Sequence, residues 1–162
     1  MPLPGVHPQE YQRIADLLGI SLQCVWDLAN YPDEARTSLS VAQVIDLARA
    51  TGLTVTEIVN EERLESAEPL THEQISILMR AAIVDGQSTM AEFEDRVGWN
   101  LAEAIETPDR LLDIYNWDGL SDVAGALGFN PWSILPPDAK SANKSSLPTG
   151  MNLTTSTPTA LP

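Results

Sequence analysis

Apolar residues recur at spacings of three and four along most of the chain, which is the period of amphipathic helices. No segment of the sequence alternates between apolar and polar residues as a half-buried strand does. Capping signals precede several of these stripes: Ser40 with Gln43, and Thr71 with Gln74, match the capping-box pattern. Gly19 follows another stripe at the place where a left-handed residue commonly ends a helix. The pattern predicts an all-α protein.

The order of the predicted helices is repeated in the two halves of the chain. The segment LLGISLQCVWDLAN, beginning at Leu17, matches RVGWNLAEAIETPD, beginning at Arg96, at an offset of 79. Further on, VIDLARATGLTVTEIV matches LSDVAGALGFNPWSIL at an offset of 76. One duplicated helical unit explains both matches. We therefore predict a first unit in residues 1–68, a second in 69–137, and a disordered tail rich in Ser, Thr and Pro in 138–162.

These repeated segments resemble the lambda-repressor/Cro type of helix-turn-helix domain, a five-helix bundle whose second and third helices are joined by a tight turn. The resemblance implies two helix-turn-helix-like bundles packed together. It also implies that the first unit lacks the first helix of the family, since only MPLPGVHP precedes its second helix. An apolar face would then be uncovered. We expect the two units to pack on each other, or the helix at 72–85 to cover both, as one compact domain.

The resemblance indicates which residues face outward, because the third helix of this family enters the DNA major groove. The outward positions of the two third helices are Leu22, Gln23, Trp26 and Asp27 in the first unit, and Leu101, Ala102, Ile105 and Glu106 in the second. Gln23 is the one good base-reading residue among them, whereas Asp27 and Glu106 would bring carboxylates towards phosphate. Glu94 stands where the family prefers a small apolar residue, which leaves the packing of the second unit open.

The distribution of charge bears on the class of partner. Residues 1–137 carry seven Arg and no Lys against 22 Asp and Glu, a balance of −15. A field of this sign repels nucleic-acid phosphates and favours a cationic protein surface as partner. Net acidity of this size also serves simply to keep a domain soluble. Both interpretations stay open from the sequence.

Two hypotheses for function follow. The first is a non-enzymatic protein–protein interaction module, an inhibitor, adaptor or antagonist whose partner is basic or itself binds nucleic acid. It would use Leu22 and Trp26 in one unit and Leu101 and Ile105 in the other as exposed apolar patches. Trp26 and Ile105 could equally be core between the two units.

The alternative is a sequence-specific DNA-binding transcriptional regulator of the lambda-repressor/Cro type. Its phosphate contacts would come from Arg13 and Arg36, with Arg110 as a further candidate, and these arginines would have to converge with Gln23 on one basic face.

Residues that carry catalytic or metal chemistry are sparse. Cys24 is the single cysteine, and His7 and His72 lack the spacing of metal ligands. No glycine-rich phosphate loop or catalytic set is recognisable, so we expect no enzymatic activity, no cofactor and no metal. The N-terminus has no secretory-signal pattern, and no apolar run reaches the length of a membrane span, so we expect a cytoplasmic protein that does not enter membranes.

Overall fold

The computed structural model describes residue 3 and residues 5–31, 33–63 and 68–136, and these form ten α-helices and no strand. The first unit contains α1 (Tyr11–Leu18), α2 (Leu22–Asn30), α3 (Glu34–Ser38), α4 (Val41–Thr51) and α5 (Val55–Val59). The second contains α6 (His72–Asp85), α7 (Met90–Val97), α8 (Ala102–Glu106), α9 (Leu111–Ile114) and α10 (Trp117–Leu127). Short 3-10 helices span Pro8–Glu10, Pro108–Arg110 and Pro131–Ile134. The predicted all-α class is confirmed, and the predicted tail at 138–162 lies outside the described residues.

Most helix boundaries coincide with the predicted signals. The side chains of Ser40 and Thr71 accept hydrogen bonds from the backbone N–H groups three residues on, which completes both capping boxes. Gly19 and Gly98 adopt φ of 67° and 85°, so the chain turns from α1 towards α2, and from α7 towards α8, without the strain a side chain would add. None of the helices in the described part of the chain is both long and apolar enough to cross a lipid bilayer.

The helices occur at the offsets of the sequence repeat. The bounds of α1 and α7 differ by 79 at both ends, and those of α4 and α10 differ by 76. Two short helices that the sequence pattern did not predict, α3 and α9, occupy equivalent places between these elements. They are five and four residues long, too short to display a helical period.

Each of these two short helices packs against a helix of the other unit: α3 packs against α10, and α9 packs against α4. Ser40, the residue before α4, forms an isolated antiparallel bridge with Asn116, its equivalent at an offset of 76. The Val41 N–H donates to the Tyr115 carbonyl at 2.9 Å, and the Asn116 side chain donates to the Thr37 carbonyl at 2.9 Å. Antiparallel pairing of equivalent residues indicates a local two-fold relation between the units.

A single cluster of buried side chains runs through both units, and the rings of Trp117 and Trp132 lie 4.6 Å apart within it. Leu3 and Val6, which precede α1, are buried in the same cluster. The long helix α6 packs chiefly against α8, the Pro108–Arg110 helix and α10. The two units therefore share one core, and α6 mainly covers the second of them.

Candidate functional site

The candidate site is an exposed apolar patch on α2, formed by Leu22, Trp26 and Tyr31 and called the α2 face below. Leu22 and Trp26 are one helical turn apart and 50% and 46% exposed, and Tyr31, directly after the helix, is 53% exposed. The Trp26 and Tyr31 rings meet edge to face with centroids 6.1 Å apart. Tyr31 was not among the predicted positions, because it follows α2 rather than lying on its periodic stripe.

The orientation of α2 follows from its own sequence. The Ser21 hydroxyl accepts a hydrogen bond from the Cys24 N–H at 3.1 Å and caps the first turn. Val25 and Leu28, with Ala29, are buried in the core, so Leu22 and Trp26 are left on the solvent side. One apolar side of α2 thus packs into the core and holds the helix in place, and a second apolar side is exposed to solvent.

Two carboxylates, those of Asp27 and Glu34, lie on or near α2. Asp27, on the neighbouring row of α2, accepts a hydrogen bond from the Gln23 amide at 3.1 Å, so the predicted base-reading side chain is engaged with an acid of its own helix. Burial, followed by the negative charges of Glu34 and Asp27, raises the pKa of the Cys24 thiol. The electrostatic field at α2 is therefore negative, which suits a cationic partner group.

The corresponding side of the second unit is covered. Leu101 is fully buried and Ile105 is 6% exposed, so the prediction that they form an outward apolar patch is wrong. The physical reason is α6, whose Ser76 hydroxyl and Arg80 guanidinium donate to the Ile105 carbonyl at 3.0 and 3.3 Å. Of the two interpretations left open for Trp26 and Ile105, Ile105 belongs to the core and Trp26 to the surface. The other predicted positions are the half-buried Ala102 and the exposed Glu106.

Glu94, whose place in the packing was left open, caps α8. One of its carboxylate oxygens accepts hydrogen bonds from the N–H groups of Leu101 at 2.9 Å and Ala102 at 3.0 Å. A carboxylate at a helix N-terminus satisfies free donors and meets the positive end of the helix dipole. Nearby, the Tyr115 hydroxyl donates to the Asn100 carbonyl at 2.6 Å, and burial, with the charges of Glu94 and Glu103, raises the pKa of that phenol.

The arginines proposed for phosphate contact are each paired with a carboxylate: Arg13 with Glu10 at 3.2 Å, Arg36 with Asp118 at 2.9 Å, and Arg110 with Glu103 at 3.0 Å. Arg36 joins the two units, since it extends from α3 to α10 and also donates to the Val59 carbonyl at 3.5 Å. Its guanidinium is partly buried there. These three cations thus form ion pairs within the protein. No hydrogen bond between any of them and Gln23 is found among the described residues.

The place equivalent to the Arg36 ion pair is a groove on the other side of the local two-fold. Leu112 and Ala42 stand at the positions equivalent to Arg36 and Asp118, and they line a groove of about 440 Å³ together with Arg49 and His72. Among the described residues, no group of three or more His, Cys, Asp and Glu side chains is placed to hold a metal ion.

The chain matches no known protein-family model, and no curated protein or solved structure is significantly similar to it. The functional proposal therefore depends on the α2 face.

Proposed function

We propose that this protein is a non-enzymatic protein–protein interaction module, built on a degenerate tandem helix-turn-helix scaffold of the lambda-repressor/Cro type. Its first unit binds a partner protein through the α2 face, in the manner of an inhibitor, adaptor or antagonist. The observation that carries the proposal is the α2 face itself, where an aliphatic and two aromatic side chains about half-exposed to solvent adjoin each other. Exposed tryptophan and tyrosine side chains are the types that dominate binding energy in protein interfaces.

Charge supports a protein partner over DNA. Asp27 lies beside Trp26 on the helix that enters the groove in the DNA-binding relatives of this scaffold, and a carboxylate there repels phosphate. Arg13 is paired with Glu10 and Arg36 with Asp118, so each cation already has a carboxylate beside it. The overall charge of −14 makes long-range attraction to a polyanion unfavourable and attraction to a basic protein favourable.

The experiment is photo-crosslinking in native host lysate with three forms of the full chain: wild type, the Leu22→Asp/Trp26→Asp double variant, and Ile77→Asp as control. Ile77 is 64% exposed on α6, so its variant tests for loss of any exposed apolar side chain. The proposal requires a protein adduct that is formed by wild type and Ile77→Asp and lost in the double variant.

A selection from random DNA duplexes at about 150 mM salt, where non-specific attraction to phosphate is much reduced, tests the alternative. Enrichment of a defined duplex sequence by wild type, without a face-dependent protein adduct, would replace the interaction module with a DNA-binding regulator. An adduct that persists in the double variant would also contradict the proposal.

A further inference from the structure

The partner class can be deduced from the second unit, which contains a covered version of the α2 face. At an offset of 79, Leu22 is equivalent to the buried Leu101 and Trp26 to the buried Ile105. The segment equivalent to α2 comprises α8 and the Pro108–Arg110 helix, and α6 packs against both. The molecule thus covers one of its two equivalent faces with the helix α6.

In the first unit, the helices that pack closely against α2 are α1 and α3, the neighbours on its inner side. Among the described helices, none besides α1 and α3 makes more than minor contact with α2. The residues described before α1 contribute Leu3 and Val6 to the core, yet Leu22 and Trp26 remain about half exposed.

The backbone of α2 is already satisfied without such a helix. In the second unit, the Ile105 carbonyl accepts hydrogen bonds from Ser76 and Arg80 of α6. The equivalent carbonyl in the first unit, that of Trp26, accepts a hydrogen bond from the side chain of Asn30 at 2.7 Å. What remains unpartnered on α2 is therefore apolar surface, and an incoming helix needs apolar side chains there rather than a donor.

We propose that the α2 face binds an amphipathic α-helix of a basic partner protein, seated on the first unit as α6 is seated on the second. This inference rests on the proposed function and names its partner class. The inner side of α6 provides the template, because its buried Ile75 and Met79 are one helical turn apart. Asp27 and the net negative charge add a requirement for several Lys or Arg residues flanking the apolar stripe, where α6 has the single cation Arg80.

The probe for this proposal is a displayed library of 16-residue helices, a length close to the 14 residues of α6. Apolar residues are fixed at one helical stripe, and charged and polar residues are randomised elsewhere. Selection is made against the full chain, with counter-selection against the Leu22→Asp/Trp26→Asp double variant. We expect enriched helices that carry Lys or Arg beside the stripe, bind with one-to-one stoichiometry, and weaken on the order of tenfold or more in Kd with Trp26→Asp.

One control variant locates the helix. Ile77→Asp, on the outer side of α6, leaves the Kd of the enriched helices unchanged if they bind α2.

Three results would overturn the inference: no helix enriched above the counter-selection, enriched helices that bind the double variant equally well, or concentration-dependent self-association of wild type that the double variant abolishes. The last result would make a second copy of this chain the occupant. A face-dependent adduct from lysate without an enriched helix retains the proposed function and removes only the helical partner. The absence of both removes the two together.

Discussion

The helices α2 and α8 lie in equivalent segments of the sequence repeat, but equivalent residues of the two segments have opposite environments. Leu22 and Trp26 face solvent, whereas Leu101 and Ile105 are buried beneath α6. On the inner sides, Val25 and its equivalent Ala104 are both fully buried, whereas the buried Leu28 and Ala29 have the half-buried Thr107 and Pro108 as equivalents. The comparison teaches that a duplicated unit keeps its symmetry over only part of the core that the two copies share. The symmetry is lost where a single additional helix covers one copy.

The largest expected effect is on the stability of the covered side. Leu101→Ala removes a fully buried side chain and leaves a cavity, so we expect the free energy of unfolding to fall by about 2–5 kcal/mol. Leu22→Ala, at the equivalent exposed position, should change it by less than about 0.5 kcal/mol. Urea denaturation followed by circular dichroism measures both. Equal losses at the two positions would remove the difference between the faces.

The second prediction concerns the ion pair that joins the units. Arg36→Leu introduces the residue found at the equivalent position 112 and leaves the carboxylate of Asp118 without its cation. We expect a loss of about 1–3 kcal/mol in unfolding free energy. Adding Asp118→Ala, the residue found at position 42, should recover at least half of that loss, because two apolar residues then replace a broken ion pair. A double variant less stable than the single one would show that the two sides of the local two-fold are not interchangeable.

The third prediction tests the cap of α8. Glu94→Ala introduces the residue found at the equivalent position 15 and removes the acceptor for two backbone N–H groups. The expected loss is about 0.5–2 kcal/mol, typical of a removed cap. The control is Glu106→Ala, a substitution of an exposed residue on α8 itself. It should change the unfolding free energy by less than about 0.5 kcal/mol. Thermal unfolding of the two variants side by side would contradict the capping role if their losses were the same.

The smallest effect is electrostatic and concerns Cys24 on α2. Burial and the charges of Glu34 and Asp27 raise its pKa, so less thiolate is present at a given pH than in the unfolded chain. The folded protein therefore holds this proton more tightly and loses stability as the pH rises towards that pKa. Asp27→Asn should lower the pKa and accelerate alkylation by iodoacetamide about 2–5 fold in the range where the rate still rises with pH.

The control for this titration is Asp16→Asn on α1, whose charge is not among the causes of the shift. A pH–rate profile that is the same for wild type and Asp27→Asn would mean that the carboxylate does not act on α2. It would also weaken the case for a cationic partner.

The sequence was sufficient where local signals and core periodicity act together. Ser40, Thr71 and Gly98 mark helix ends because each satisfies or redirects backbone within a few residues, and Val25 and Phe93 follow the helical period of a buried side. Two residues of the α2 face, Leu22 and Trp26, were predicted to face outward from the resemblance, whereas Tyr31 was not predicted. The resemblance to helix-turn-helix domains and the proposed function remain predictions.

What the sequence could not give depends on packing between distant segments. Leu101 and Ile105 have the same pattern as Leu22 and Trp26, and only the position of α6 distinguishes buried from exposed. The sequence does not distinguish Arg36 from an exposed arginine, because its partner Asp118 is 82 residues away in the chain. The capping role of Glu94 was also not predictable, because it depends on the first turn of α8, which lies seven and eight residues further along the chain.

The packing of α3 and α9 against the opposite units affects how the chain folds. Helical proteins usually fold fast because most of their contacts are local, but here the packing of α3 on α10 and of α4 on α9 joins segments far apart in sequence. The bridge from Ser40 to Asn116 closes the same long loop. During synthesis the first unit emerges from the ribosome before α9 and α10 exist. The buried Val41, whose N–H donates to the Tyr115 carbonyl, therefore reaches its final environment only after the second unit has been made, and until then it is surface that a chaperone can bind.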